Sequence, residues 1–324
     1  MLNSFAYSMT HNPLEATMRQ LTLLWARVGI AAMVLTLSAG LSGAQHLGDA
    51  APYNLFTFGD ATGFNSDVEG KVAVGGNAHF QNYSIGFKDQ GGIALQVGGN
   101  LNYNNGSVYG DIYVGGTATI VGVGFPAGGT LYNARPPIDF AAVYNYLRLH
   151  SNYWASLTPN GGVTNFFGQL QLSGNDPVRN VFRIDASHLQ GIHSVNLLVP
   201  TGSTVLINVL GANVVFPNIG YNWNGSQDNR LFQRVLWNLP QATSVSVNSL
   251  RGSVLAVDAA LTGGYGAIEG QVIVGSFSGP TQVNHWRFEG DLEVVPEPAS
   301  VVVLGVGVMG LMAVKARRWN PTRR

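Results

Sequence analysis

The chain has 324 residues, no cysteine, and 17 basic against 17 acidic side chains. Without cysteine there is no disulfide, no thiolate nucleophile and no cysteine-based zinc site. The charges are unevenly placed: residues 45–298 hold ten Lys and Arg against sixteen Asp and Glu, a net charge of −6, opposite in sign to the basic footprint that nucleic acid requires.

In chain order, residues 1–44 come first. Arg19 and Arg27 precede the apolar run VGIAAMVLTLSAGL, which is followed by the small residues Ser42, Gly43 and Ala44. Basic flank, short apolar core and small-residue site are the parts of a secretory signal, with cleavage expected after Ala44. A start at Met18 gives a compact n-region, MRQLTLLWAR, in place of the long and nearly uncharged lead 1–17.

Residues 45–294 carry short runs of alternating apolar residues punctuated by Gly-Gly and Asn-Gly pairs, the pattern of many short strands. VEGKVAVGGNA at 68–78 returns as VYGDIYVGGTA at 108–118, identical at six of eleven positions, and IEGQVIVG follows at 268–275. VGG falls at 74, 97 and 114. Steps near 20 residues suit a β-solenoid, so the expected fold is all-β: a right-handed β-solenoid with one accessory amphipathic helical segment, plus a C-terminal transmembrane helix. Within one unit, Val68, Val72 and Val74 share the inner face, Glu69 and Lys71 point to water, and Gly75-Gly76 supplies a positive-φ corner. The accessory segment is IDFAAVYNYLRLHSNYWASL after Pro136-Pro137, with Asp139 as its N-cap. It reads as one helix, or as two broken near Ser151-Asn152.

The last 30 residues, 295–324, have three parts: VPEP, the apolar stretch 299–314, and KARRWNPTRR. Pro296, Glu297 and Pro298 keep the chain extended outside the membrane, and the basic end, with Arg317 and Arg318, holds the far side by the positive-inside rule. This tail resembles the PEP-CTERM sorting signal. The resemblance implies an exosortase-type partner, a transient membrane-held precursor, and display at the surface or in the exopolysaccharide matrix of a Gram-negative cell. In the exported region, LGDAAPYNLFTFGD, SDVEGKVAVGGNA, STVLINVLGANV, RVLWNLPQATSVSV, LRGSVLAVDAAL and IEGQVIVGSF, in this order, resemble the choice-of-anchor A domain over nearly all of residues 47–292. One departure is Leu255-Ala256-Val257, where that family commonly has Leu-Ala-Pro. The resemblance implies a structural or adhesive surface role and supplies no catalytic motif.

No metal or cofactor is expected. His188 and His193 are five apart, on opposite faces of a strand, and no His-Glu-x-x-His occurs. Asp67 and Glu69 lack the acidic density of a calcium loop. No Gly-x-Ser-x-Gly elbow is present, and no catalytic residue is assigned. Tyr109, Tyr113, Tyr221 and Trp223, set among Asn and Gly, are the candidates for stacking on sugar rings of a matrix polysaccharide. Two other readings stand beside the non-catalytic matrix protein. One is a polysaccharide-acting enzyme built on a β-helix. The other is an ice- or crystal-surface binder, which calls for a ladder of Thr-x-Thr segments and finds along the chain only Thr117-Ala118-Thr119.

Overall fold

The computed structural model describes residues 46–295. The expected signal segment with its cleavage at Ala44, the sorting residues Pro296, Glu297, Pro298, Arg317 and Arg318, and the C-terminal apolar helix lie outside the described residues. Among those described, no helix is long and apolar enough to cross a membrane.

The described chain is mainly β with one long helix. Almost all of its strands pair in parallel, as rungs curled around a common apolar core. One ladder runs in space from Arg179–Asp185 through Thr204–Leu210, Val235–Asn238, the start of Ser253–Gly263 and the start of Val272–Gly279. It continues through Tyr53–Thr57, Lys71–Val74, Ile93–Val97 and Asp111–Val114 to Leu131–Tyr132. Spatial order is therefore not chain order. The first strand lies in mid-stack, with Leu55 opposite both Val272 and Val72.

Helix α1, Phe140–Ser156, explains this arrangement. The chain winds outward from Tyr53 to Tyr132, and α1 then carries it back across the ladder, from the Phe140 ring against Phe56 to Trp154 O, which accepts from Asn208 Nδ2 at 3.0 Å. Seventeen residues span about 25 Å of helix, close to five strand spacings of about 4.8 Å. The second winding starts there and closes on the first at Val272. Asp139 caps α1 as expected, its Oδ1 accepting from Ala141 N and Ala142 N at 3.1 Å. The helix is unbroken at Ser151, whose hydroxyl donates instead to Asn238 Oδ1 at 2.6 Å.

Because α1 covers the middle of this ladder, both sides of the strands there are buried. Val68, Val72 and Val74 face the inner core as expected, while Ala73 turns outward and is fully buried beneath the helix with Phe56, Leu206, Leu236, Leu255 and Ile273. Two expectations about the repeat unit are corrected. Glu69 is buried rather than solvated, because the strand ends at Val68 and alternation stops there; Lys88 Nζ sits 2.7 Å from its carboxylate, and His285 N donates to it at 2.8 Å. Gly75 and Gly76 do not take positive φ. They are required by crowding between rungs: a Cβ on Gly98 would overlap Gly75 O, and one on Gly115 would overlap Gly98 O.

Candidate functional site

A second ladder has no helix over it. It runs from Asn213–Phe216 through Ser244–Val247 and the later parts of Ser253–Gly263 and Val272–Gly279 to Ala61–Val68, Ala78–Ile85, Leu101–Val108 and Ala118–Gly124. Alternate residues such as Val245, Leu261, Phe277 and Leu101 point into the core. The residues between them form a column, each in register with the next: Val215, Ser246, Thr262, Ser278, Thr62, His79, Asn102 and Thr119. Seven of the eight are exposed and Thr62 is half-buried. At about 4.8 Å per rung the column is about 34 Å long.

A parallel column lies two residues earlier on each strand, and at one end its side chains are locked to the backbone of the next rung. Asp60 Oδ1 accepts from Asn77 N at 2.7 Å, Asn77 Oδ1 from Asn100 N at 2.9 Å, and Asn100 Oδ1 from Thr117 N at 2.8 Å. The steps along the chain are 17, 23 and 17 residues, the 23 marking an inserted loop at 86–92. Glycine hydrogen bonds stack beneath them, Gly76 N donating to Gly59 O, Gly99 N to Gly76 O and Gly116 N to Gly99 O, at 2.8–3.0 Å. The far edge is a bend where Asn65, Asn82 and Asn105 adopt φ of 51°, 48° and 58°, and Asn82 Nδ2 donates to Asn65 Oδ1 at 2.9 Å. Asparagine tolerates this left-handed conformation better than most residues. Between the corner and the bend, the exposed side chains are held at fixed spacing by a backbone that has little freedom to shift. Asp60 and His79 are the titratable groups in the two columns, and the rest are Ser, Thr, Asn, Ala and Val.

Thr117 and Thr119 both lie on this face, but the ladder to which they belong runs across strands drawn from distant segments. Reading along the chain therefore missed it. The available signal was the recurrence of VGGN, VGGN and VGGT at 74, 97 and 114, each followed two residues later by an exposed polar side chain.

The four aromatic candidates are placed differently. Tyr221 and Trp223 are buried, on the inner side of Gly220–Trp223, packed edge-on to Phe232; Trp223 Nε1 donates to Val199 O at 3.0 Å, and burial pushes the Tyr221 phenol well above its usual pKa. Their ring faces are taken up by protein contacts, which removes them as sugar platforms. Their period-two spacing was the signal for an inward position. Tyr109 is half-buried with its ring 6.3 Å from Phe87. Tyr113, beyond the end of the helix-covered surface, stacks on the exposed Tyr132 with ring centroids 4.7 Å apart. His193 bonds the carbonyl of Phe167 through Nε2 at 2.9 Å, and His188 bonds locally to Asp185. Among the described residues, no three His, Asp or Glu side chains gather as a metal-binding group.

A stack of parallel rungs with one long, exposed, nearly uncharged and periodic face defines a protein that presents an ordered surface. Residues 46–285 match the family described as "Putative Ice-binding-like adhesive domain", and the chain belongs to that family, an adhesive and non-catalytic one. Residues 294–318 match the PEP-CTERM protein-sorting motif, which indicates export to the cell surface and processing by an exosortase. No curated protein matches the chain.

Similar solved structures include an ice-binding protein from an Antarctic biological consortium, 10 % identical over 74 % of this chain and 88 % of that one, with a TM-score of 0.31. The ice-binding protein of the Antarctic ascomycete Antarctomyces psychrotrophicus is 15 % identical over 75 % of this chain and 98 % of its own, also at 0.31. The DUF3494 domain of Shewanella frigidimarina ice-binding protein 1 is 12 % identical over 74 % and 94 %, again at 0.31.

Proposed function

We propose that this chain is an exported adhesive whose open ladder binds ice and so fixes the cell surface, or its exopolysaccharide matrix, to it. The observation that carries this reading is the unbroken column from Val215 to Thr119. Hydroxyl, amide and methyl groups repeated at one spacing can meet a repeating lattice or order the water above it. Few charges need to lose their hydration at such a contact. Membership of an ice-binding-like adhesive family supports the same reading. The reading that best fits the parallel rungs is a right-handed solenoid, and the choice-of-anchor A resemblance agrees with a surface role. The test is partition into slowly growing ice. The wild type enters the ice fraction, and Thr262→Tyr, which raises a bulky ring above the face, is excluded; exclusion of the wild type itself would refute the proposal.

The tail supplies the route. In this reading the apolar stretch 299–314 holds the precursor in the membrane, Arg317 and Arg318 orient it, and Pro296, Glu297 and Pro298 present the segment on which the exosortase acts. Replacing those three by alanine leaves insertion intact and traps an unprocessed precursor in an exosortase-bearing host. Normal maturation of that variant would reduce the tail to a plain anchor.

A second reading rests on one observation, the Tyr113–Tyr132 stack, whose outer ring lies on a terminal rung and is 39 % exposed. Such a ring can take the face of a sugar from the matrix, with Tyr109 on the rung behind it. Loss of matrix-polysaccharide retention in Tyr132→Ala with unchanged ice partition would assign the two activities to separate surfaces.

A further inference from the structure

The two most solvent-exposed phenylalanines among the described residues stand together at the tip of one hairpin. Gly162–Phe166 pairs antiparallel with Gln169–Ser173, and the turn between them presents Phe166 at 70 % and Phe167 at 86 % exposure, their rings 4.5 Å apart and T-shaped. Phe167 has φ of 47°, a conformation that bulky residues avoid. The turn is nevertheless held: Gly168 N donates to Asn165 Oδ1 at 3.1 Å, and His193 Nε2 bonds Phe167 O at 2.9 Å. Strain kept in place by its surroundings, with two apolar rings aimed at solvent, points to a contact made by the tip. Residues 162–173 include no charged side chain, so the tip of the hairpin can enter an apolar medium without stripping water from an ion.

The position of the hairpin selects the partner. Arg179 joins its base to the departing tail: its carbonyl accepts from Asn160 Nδ2 at 2.9 Å, and its guanidinium pairs with Glu293. The described chain ends two residues later at Val295, and residues 296–324 carry the apolar stretch. From Gly162 the strand extends about 13 Å to Phe166. Hairpin and tail thus leave the domain from neighbouring points.

We infer that Phe166 and Phe167 insert into the headgroup–acyl boundary of a lipid bilayer and give the precursor a second, charge-independent membrane contact beside its tail. This inference rests on the membrane-held precursor proposed above. Two buried aromatic rings and no basic residue make the contact insensitive to anionic lipid and to salt.

The chain has no cysteine, so single cysteines report cleanly. Signal-cleaved precursor, residues 45–324, carrying a spin label at Thr164→Cys, or at the exposed control Ser187→Cys, is reconstituted at one copy per nanodisc of phosphatidylcholine. Co-elution with the disc reports on the tail. At position 164, collisions with a water-soluble nickel chelate should be at least threefold rarer than at 187, equally so in 1 M NaCl. The Phe166→Ser/Phe167→Ser double variant should equalise the two positions without moving the thermal transition. Chain that stays with the disc while its 164 label is as open as 187 overturns the hairpin inference alone. Chain that leaves the disc overturns the tail reading and the inference with it. Shielding that appears only with two copies per disc assigns the tip to a second copy and also overturns it.

Discussion

Ser278 stands in register opposite Thr62, although one lies near the end of the described chain and the other near its start. This pairing, with Leu55 opposite Val272 beside it, joins the first winding of the chain to the last and makes one continuous face from two separate lengths of sequence. Leu55 is fully buried at that seam. Leu55→Asp places an uncompensated charge there, a cost of several kcal/mol that approaches the whole stability of a domain. Both windings should melt together at a much lower temperature in circular dichroism. Two separate transitions would show that the windings are independent.

Val72→Asp and Val74→Asp should be equally damaging, since both side chains are fully buried in the inner core. Lys71→Asp should cost on the order of 1 kcal/mol, mainly through the lost pairing with Asp89 at 3.9 Å, as expected of a partly exposed ion pair. Chemical denaturation of the three variants checks the strand phase. Equal losses would place Lys71 inside.

Gly98→Ala tests the corner. Its φ is not left-handed, so the penalty is steric alone, from a methyl group driven against Gly75 O. A loss of about 1–3 kcal/mol is expected in the denaturation midpoint. An unchanged midpoint would mean that the rungs can part without cost.

His150 sets a pH dependence. It lies on the buried side of α1, its Nδ1–H donates to Tyr146 O at 2.8 Å, and its Nε2 accepts from Val295 N at 3.4 Å, which fits the neutral ring. Burial lowers its pKa below 6.5, opposed by the Tyr146 carbonyl and reinforced by nearby His46. A histidine with a lowered folded pKa contributes stability above its unfolded value and loses it as pH falls from about 6.5 toward the folded value. The melting temperature should drop between pH 7.5 and 5, and His150→Gln should shrink that drop. The same drop in the variant would assign it elsewhere, for instance to His285, whose pKa burial and Arg287 also lower.

Much of this was legible in the sequence because it depends on local chemistry. The inward phase of Val68, Val72 and Val74 follows from alternation, and α1 with its Asp139 cap follows from helical spacing. What was hidden depends on contacts between distant segments. Glu69 looked solvated because Lys88 and His285 are not its neighbours in the chain. Tyr221 and Trp223 looked like turn aromatics because their Asn and Gly neighbours outweighed their spacing. The exposed row was invisible as a motif: Ser246, Thr262, Ser278 and Thr62 become one row only after α1 returns the chain to the other end of the stack.

Tyrosine substitution along that row tests whether it meets ice as one surface. Thr62→Tyr from the first winding and Ser246→Tyr and Ser278→Tyr from the second are compared with Asn152→Tyr, on the exposed side of α1 over the other ladder, by the fraction of protein partitioning into slowly growing ice. All three face variants should lose most of the partition of the wild type while keeping its melting temperature, and Asn152→Tyr should retain it. Undiminished partition in the face variants, or a loss confined to one winding, would contradict a single binding face built from both.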